Sequence, residues 1–171
     1  MKKQFFIIDT SAILSGKPIQ IPDAELITTP GVSDELTPGG RDYQAFELLK
    51  ETRLAIHAPS KESLLHVKKT AQQTGDDRRL STADIEIVAV ALDINRQPDQ
   101  EAVILTDDYS IQNIASTLHI KFEGFSQKGI TKKFKWVSRC PGCGKHFKET
   151  TTICPICGTS TRCSPQKKQH L

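Results

Sequence analysis

A parallel α/β sheet followed by a small cysteine-stapled module is the fold the sequence predicts, on three observations. Short apolar runs of strand length alternate with helix-length segments through residue 123, as in a sheet built of βαβ units. The charge divides sharply: residues 1–123 sum to −6 and residues 124–171 to +9, within a net charge of +3 for the 171 residues. All five cysteines fall at or after residue 140.

The elements follow in order. Gln4 to Ile8 is a continuous apolar run, the pattern of a strand buried on both faces. Thr10 and Ser11 are good N-caps, so a short helix is expected next. "AELITT" (24–29) is a second strand, and Pro30-Gly31 marks a turn before "VSDEL". Tyr43 to Glu51 has helical spacing, "LAIHA" (54–58) is strand-like, and Ser60 to Gln73 carries a helical apolar stripe. Residues 81–95, "STADIEIVAVALDIN", form the clearest helix, apolar over most of its circumference and therefore buried. "AVILT" (102–106) is a buried-type strand, "SIQNIASTL" (110–118) a helix, and "IKFEG" (120–124) a closing strand. A domain over residues 1–123, a basic linker over 124–138, a cysteine module over 139–160 and a disordered tail over 161–171 are expected; the tail has almost nothing to bury.

No run approaches the roughly 20 apolar residues that span a bilayer, and the start lacks a small-residue cleavage pattern, so a cytoplasmic protein with no membrane contact is expected. Clustered cysteines in such a chain point to metal rather than disulfides. Cys140-Pro-Gly-Cys143 and Cys154-Pro-Ile-Cys157 form paired C-x₂-C knuckles, the pattern of one structural Zn²⁺ held by four thiolates. Cys163 lies outside that spacing and is expected to be a spare thiol.

The acidic half carries the candidate chemistry. In an open parallel sheet, sites form outside the carboxyl ends of strands. Asp9 ends the first strand, and Asp107 and Asp108 follow "AVILT", so all fall on one edge. Asp84 sits in a capping box with Ser81, S-x-x-D, yet shares a helix face with Ile87, Val88 and Ala91. Glu35 follows the second strand. Carboxylates gathered together repel and resist ionisation without a cation, and hard ions such as Mg²⁺ or Mn²⁺ favour oxygen ligands. Such ions serve phosphodiester cleavage. No G-x-S-x-G, P-loop or G-x-G-x-x-G offers a rival device.

The stretches "IIDTSAIL", "SDEL", "LSTADIEIVAVAL" and "TDDYSIQNIA" resemble the successive acidic motifs of PIN-domain ribonucleases. With the basic linker and cysteine module behind them, residues 4–160 resemble the Nin-one-binding (Nob) endonuclease family of archaea and eukaryotes. The resemblance implies a PIN-like parallel-sheet domain with helices on both faces, followed by a small zinc ribbon. It also implies a divalent-metal-dependent endoribonuclease that cuts single-stranded precursor RNA and matures the 3′ end of small-subunit ribosomal RNA. Asp9, Glu35 and Asp84 would take the first three acidic places. "TDD" leaves the fourth between Asp108, favoured by the family's T-x-D, and Asp107. The implied partners are the precursor RNA, the pre-ribosomal particle and a KH-domain assembly factor.

Lys132, Lys133, Lys135, Arg139, Lys145 and Lys148 surround Phe134, Trp136 and Phe147, and are the candidate RNA contacts. Trp136 and Phe147 could equally pack the core of the small module. The alternative function is a binding module with a PIN scaffold that holds RNA or a pre-ribosome without cutting. A haloacid-dehalogenase-type phosphatase is disfavoured, because Ser11 and Ala12 stand where a second Asp belongs.

Overall fold

The computed structural model describes residues 2–19, 21–22, 24–125 and 132–170, with backbone alone at 132–135 and 166–170. Strands β1 (Lys3–Ile8), β2 (Glu25–Thr28), β3 (Leu54–Ile56), β4 (Gln100–Leu105) and β5 (Lys121–Glu123) form one sheet in the order β3-β2-β1-β4-β5. Every neighbouring pair is parallel. Phe5, Phe6, Ile7 and Ile8 are all buried, as are Ala102 to Leu105. Successive strand side chains point to opposite faces, so these runs require cover on both sides of the sheet. Helices α1 (Thr10–Leu14), α2 (Pro30–Glu35), α3 (Arg41–Thr52), α4 (Lys61–Thr74), α5 (Thr82–Asn95) and α6 (Tyr109–Thr117) supply the connections. Helix α5 is the central one, with Ile87 to Ala91 and Ile94 inaccessible or nearly so.

The strand order places the site. The chain leaves β1 toward β2 and β3, then crosses to the other side of β1 to lay down β4 and β5. The direction reverses between β1 and β4, the place beyond the carboxyl ends where open parallel sheets form their sites. Ile8 pairs with Leu105 in register, so the residues after each strand emerge side by side.

Local capping differs from expectation at two points. The N-cap of α1 is Asp9, not Thr10 or Ser11, because its carboxylate accepts from the Thr10 backbone N–H. The predicted turn at Pro30-Gly31 is the first turn of α2, capped by Thr29, with Pro30 where a missing N–H costs nothing.

After residue 131, β6 (Lys132–Arg139), β7 (His146–Phe147) and β8 (Arg162–His170) form an antiparallel sheet in the order β7-β6-β8. Two expectations are corrected here. The linker expected through residue 138 is a strand from Lys132, and the tail expected to be disordered from 161 pairs with it as β8. Ladder hydrogen bonds between backbones order such strands without an apolar side-chain set, which composition does not reveal. Among the described residues no helix is long and apolar enough to cross a membrane.

Candidate active site

Asp9 is the buried member of the predicted set, only 5% exposed. The Thr10 N–H donates to Oδ1, and the hydroxyls of Ser11 and Thr106 both donate to Oδ2, each at 2.7 Å. Each hydroxyl also accepts a backbone N–H after β4: Ser11 Oγ from Asp107 N at 3.2 Å, across from the β1 end, and Thr106 Oγ1 from Asp108 N at 3.0 Å. Two hydroxyls thus stitch the carboxyl ends of β1 and β4 around one carboxylate. Burial raises the Asp9 pKa above 3.8; the Ser11, Thr106 and Thr10 hydrogen bonds oppose this, and the negative charge of Asp108 adds to it.

Glu35 arrives from α2. Thr10 Oγ1 donates to its Oε2 at 2.6 Å, and Ser81 Oγ lies 3.4 Å from its Oε1. Ser81 also caps α5: its Oγ accepts from Asp84 N at 3.1 Å, while its own N–H donates to Asp84 Oδ2 at 2.6 Å. The capping box is therefore real, and Asp84 faces the other acids as well. Its pKa is raised first by burial, against the Ser81 hydrogen bonds, and further by the charges of Asp9 and Asp108. The same carboxylate that completes the cap thus lies in the field of Asp9 and Asp108.

Asp108 caps α6 and accepts from Ser110 N at 2.6 Å. It is exposed, and its charge is felt by both Asp9 and Asp84. Asp107 is held differently: its Oδ1 accepts from Phe125 N at 2.8 Å, against the chain leaving β5. Thr10 and Ser81, each by its N–H and its hydroxyl, join Asp9, Glu35 and Asp84 in a chain, while the Asp108 carboxylate is held on the Ser110 N–H; the four are not tightly clustered. Among the described residues, only the four cysteines bring three or more ligand atoms within 4.8 Å of one another. Like charges held apart by hydrogen-bonded bridges, in oxygen-donor surroundings, suit a hard divalent cation.

Two positions escaped the sequence reading. Glu86 Oε2 accepts from Gly31 N at 2.8 Å. A Cβ on Gly31 would lie 2.8 Å from that oxygen and 2.9 Å from Ala83 Cα. Gly31 and Glu35 share one face of α2 at i, i+4, so close seating of the glycine on α5 brings Glu35 toward Ser81. A carboxylate in the second turn of a buried helix was the available signal.

The cysteine module matches the predicted set. Cys140 and Cys157 sulfurs are 3.3 Å apart and those of Cys143 and Cys154 3.6 Å, close to the roughly 3.8 Å edge of a tetrahedral Zn–S₄ unit. The two knuckles repeat one geometry: Gly144 N donates to Cys140 O and Gly158 N to Cys154 O, with both glycines at φ +72°. Only glycine takes that conformation without strain. The thiols titrate together: contacts with the Thr159 hydroxyl and backbone lower Cys157 to about 6, while, against the Lys145 backbone hydrogen bond, burial and the neighbouring sulfurs raise Cys143 to about 11.

Of the predicted RNA contacts, Arg139, Lys145 and Lys148 are exposed on this module; the side chains of Lys132, Lys133 and Lys135 lie outside the described ones. Arg162, in the segment expected to be disordered, stands directly across from Arg139. Like charges facing across a strand pair are unfavourable without an anion between them.

Residues 6–94 match the family described as "PIN domain of ribonuclease". Endoribonuclease Nob1 of Archaeoglobus fulgidus is 37% identical over 153 residues, covering 90% of this chain and 86% of that protein. Endoribonuclease Nob1 of Pyrococcus abyssi is 34% identical, with 95% of each chain covered. The chain belongs to the PIN-domain ribonuclease family. Within it the chain is also similar to ribonuclease VapC1 of Thermoplasma acidophilum, at 36% identity over 97% of this chain and 81% of that one. Several of these PIN relatives align well past residue 94, so the similarity takes in the cysteine module.

Proposed function

We propose that this PIN-domain protein is a divalent-metal-dependent endoribonuclease that cuts single-stranded precursor RNA. The observation that carries the reading is Asp9: a buried carboxylate at the β1/β4 switch point, joined through Thr10 to Glu35 and through Thr106 to the Asp108 backbone. Asp9, Glu35, Asp84 and Asp108 would hold Mg²⁺ or Mn²⁺, with Asp107 beside them on the Phe125 backbone. When bound, such a cation supplies charge neutralisation and activation of water for phosphodiester hydrolysis. The residues' own work is orientation. Ser11 and Thr106 fix the Asp9 carboxylate, Ser81 fixes Asp84, and α2 delivers Glu35. Hydrolysis breaks the P–O3′ bond, leaving 3′-hydroxyl and 5′-phosphate ends.

The four cysteines would hold one structural Zn²⁺. Arg139, Lys145, Lys148 and Arg162, with Lys132, Lys133 and Lys135, would hold RNA phosphates. The relation to Nob1 proteins supports maturation of the 3′ end of small-subunit ribosomal RNA, on a pre-ribosomal particle in the cytoplasm, with a KH-domain factor as a candidate partner.

The test is cleavage of single-stranded RNA spanning a small-subunit 3′ end by wild type and Asp9→Asn. Wild type is expected to cut in Mn²⁺ and not in EDTA, and the variant to bind without cutting. Equal cutting by both, or cutting indifferent to EDTA, contradicts the assignment. Binding without cutting by both proteins would favour a non-catalytic RNA-holding module.

A further inference from the structure

The loop between α4 and α5 carries a built contact to the cysteine module. Helix α4 ends at Gly75 with φ +79°, and a side chain there would collide with the Trp136 carbonyl oxygen. The strand β6 therefore rests its backbone on a glycine. Next in the loop, Asp76 is fully buried, with Thr74 Oγ1 and Asn113 Nδ2 both donating to Oδ2 at 2.7 Å. The Asn113 bond ties the loop to α6, and the Thr74 bond holds it to the end of α4. The Thr150 hydroxyl of the module then donates to Asp77 Oδ1 at 2.8 Å.

Arg79 completes the seam. Its guanidinium lies 4.4 Å from the centroid of the Trp136 ring, within cation–π range. Its Nε donates to Ser110 Oγ at 3.3 Å, and the Ser110 N–H in turn donates to Asp108. The β6/β8 ladder shifts register between Lys135 and Trp136, an irregularity of the kind that re-aims a side chain. The cleft between the loop and β6, lined by Gly75, Arg78, Trp136 and Lys148 among others, has a volume of about 10 Å³, no more than one water. Half-buried, Trp136 turns its ring toward Arg79 and its backbone toward Gly75. It is a contact with the acid-bearing domain.

We propose that Arg79 and Trp136 determine cleavage specificity: their stack locks the module in one orientation and so sets which phosphodiester of a held RNA reaches Asp9. The inference rests on the nuclease reading above for its register claim, but the lock itself does not. A strand gripped by the basic module meets the acids at a distance fixed only by the seam. Freed from the seam, the module presents neighbouring phosphodiesters in turn.

Trp136 is the single tryptophan of the chain, so its fluorescence reports the seam without RNA or divalent ion. In the full zinc-loaded chain, Arg79→Ala is expected to shift emission to the red and raise quenching by acrylamide. Unchanged emission and quenching overturn the lock. Cut positions are then mapped on 5′-labelled single-stranded RNA in Mn²⁺. Wild type and Trp136→Phe, which keeps an aromatic face, are expected to give one dominant position. Trp136→Ala and Arg79→Lys are expected to spread cutting over several neighbouring positions, with zinc content and RNA affinity unchanged. Arg79→Lys keeps the charge but loses the planar stack, so it decides the matter if Trp136→Ala fails to fold. A wild-type cut pattern in Arg79→Lys overturns the register claim. A wild type that cuts nowhere overturns the nuclease reading and the register claim together, while the fluorescence still judges the lock.

Discussion

Asp9 carries the physics of the site in a single side chain. Its folded-state pKa is raised by burial, so the folded protein holds its proton more tightly than the unfolded chain does. That contribution is fully present below 3.8, the ordinary value, and is lost as pH rises through the raised folded value. In EDTA, the stability of Asp9→Asn relative to wild type is therefore expected to improve from below pH 3.8 to neutrality. Denaturant melts across that range would show it, and a gap independent of pH would contradict the buried-charge account. At this scale the placement of two acids was legible: Asp9 stands alone in an apolar run, and Asp84 breaks the face of a buried helix. The different settings of Asp107 and Asp108 were not, because only the fold turns Asp107 toward the Phe125 backbone and leaves Asp108 in the field of Asp9 and Asp84.

Elements matter here through how closely they sit. Helix α2 delivers Glu35 only because Gly31 lies against Ala83 and Glu86 of α5. Gly31→Ala is expected to cost about 1–3 kcal/mol of stability, as overpacking does, and to weaken cleavage more than its effect on the fold accounts for. Chemical melts and cleavage rates measured on one preparation would check both. Glu86→Gln, which keeps an acceptor for the Gly31 N–H, is expected to do far less. Gly31 could not be found from the sequence, since close approach leaves no trace beyond a glycine that also suits a turn, whereas Glu86 shows as a carboxylate on a buried helix. The knuckles were legible because a metal site needs ligands at fixed spacing. Cys140→Ser with Cys143→Ser is expected to abolish zinc in metal analysis and to loosen β6–β8, while the parallel sheet keeps its far-UV signature. Full zinc retention would reject the ligand set. Strand β8 was hidden, because its order comes from backbone pairing with β6 rather than from apolar side chains.

On the scale of the molecule, the −6 belongs to residues 1–123, which hold the parallel sheet, and the +9 to residues 124–171, within which the antiparallel sheet lies. The parallel sheet gathers carboxylates at its switch point, and the antiparallel sheet carries the cations. RNA affinity is expected to fall steeply with salt, with a log–log slope that shrinks by roughly 0.7 for each phosphate contact removed, Arg162→Ala among them. An unchanged slope in that variant would remove Arg162 from the interface. Alternation of strands and helices made the parallel sheet legible, whereas the seam between the sheets depends on residues far apart in the chain, Arg79 and Trp136, and no local pattern announces it. The central claim is that four separated carboxylates form one cation site. It is tested most directly by titrating Mn²⁺ into zinc-loaded wild type and Asp9→Asn while following the melting temperature. Binding to the native state alone stabilises by about 2.7 kcal/mol at a hundredfold excess over Kd. Wild type should therefore melt higher as Mn²⁺ rises and Asp9→Asn should not; parallel curves for the two proteins would contradict the claim.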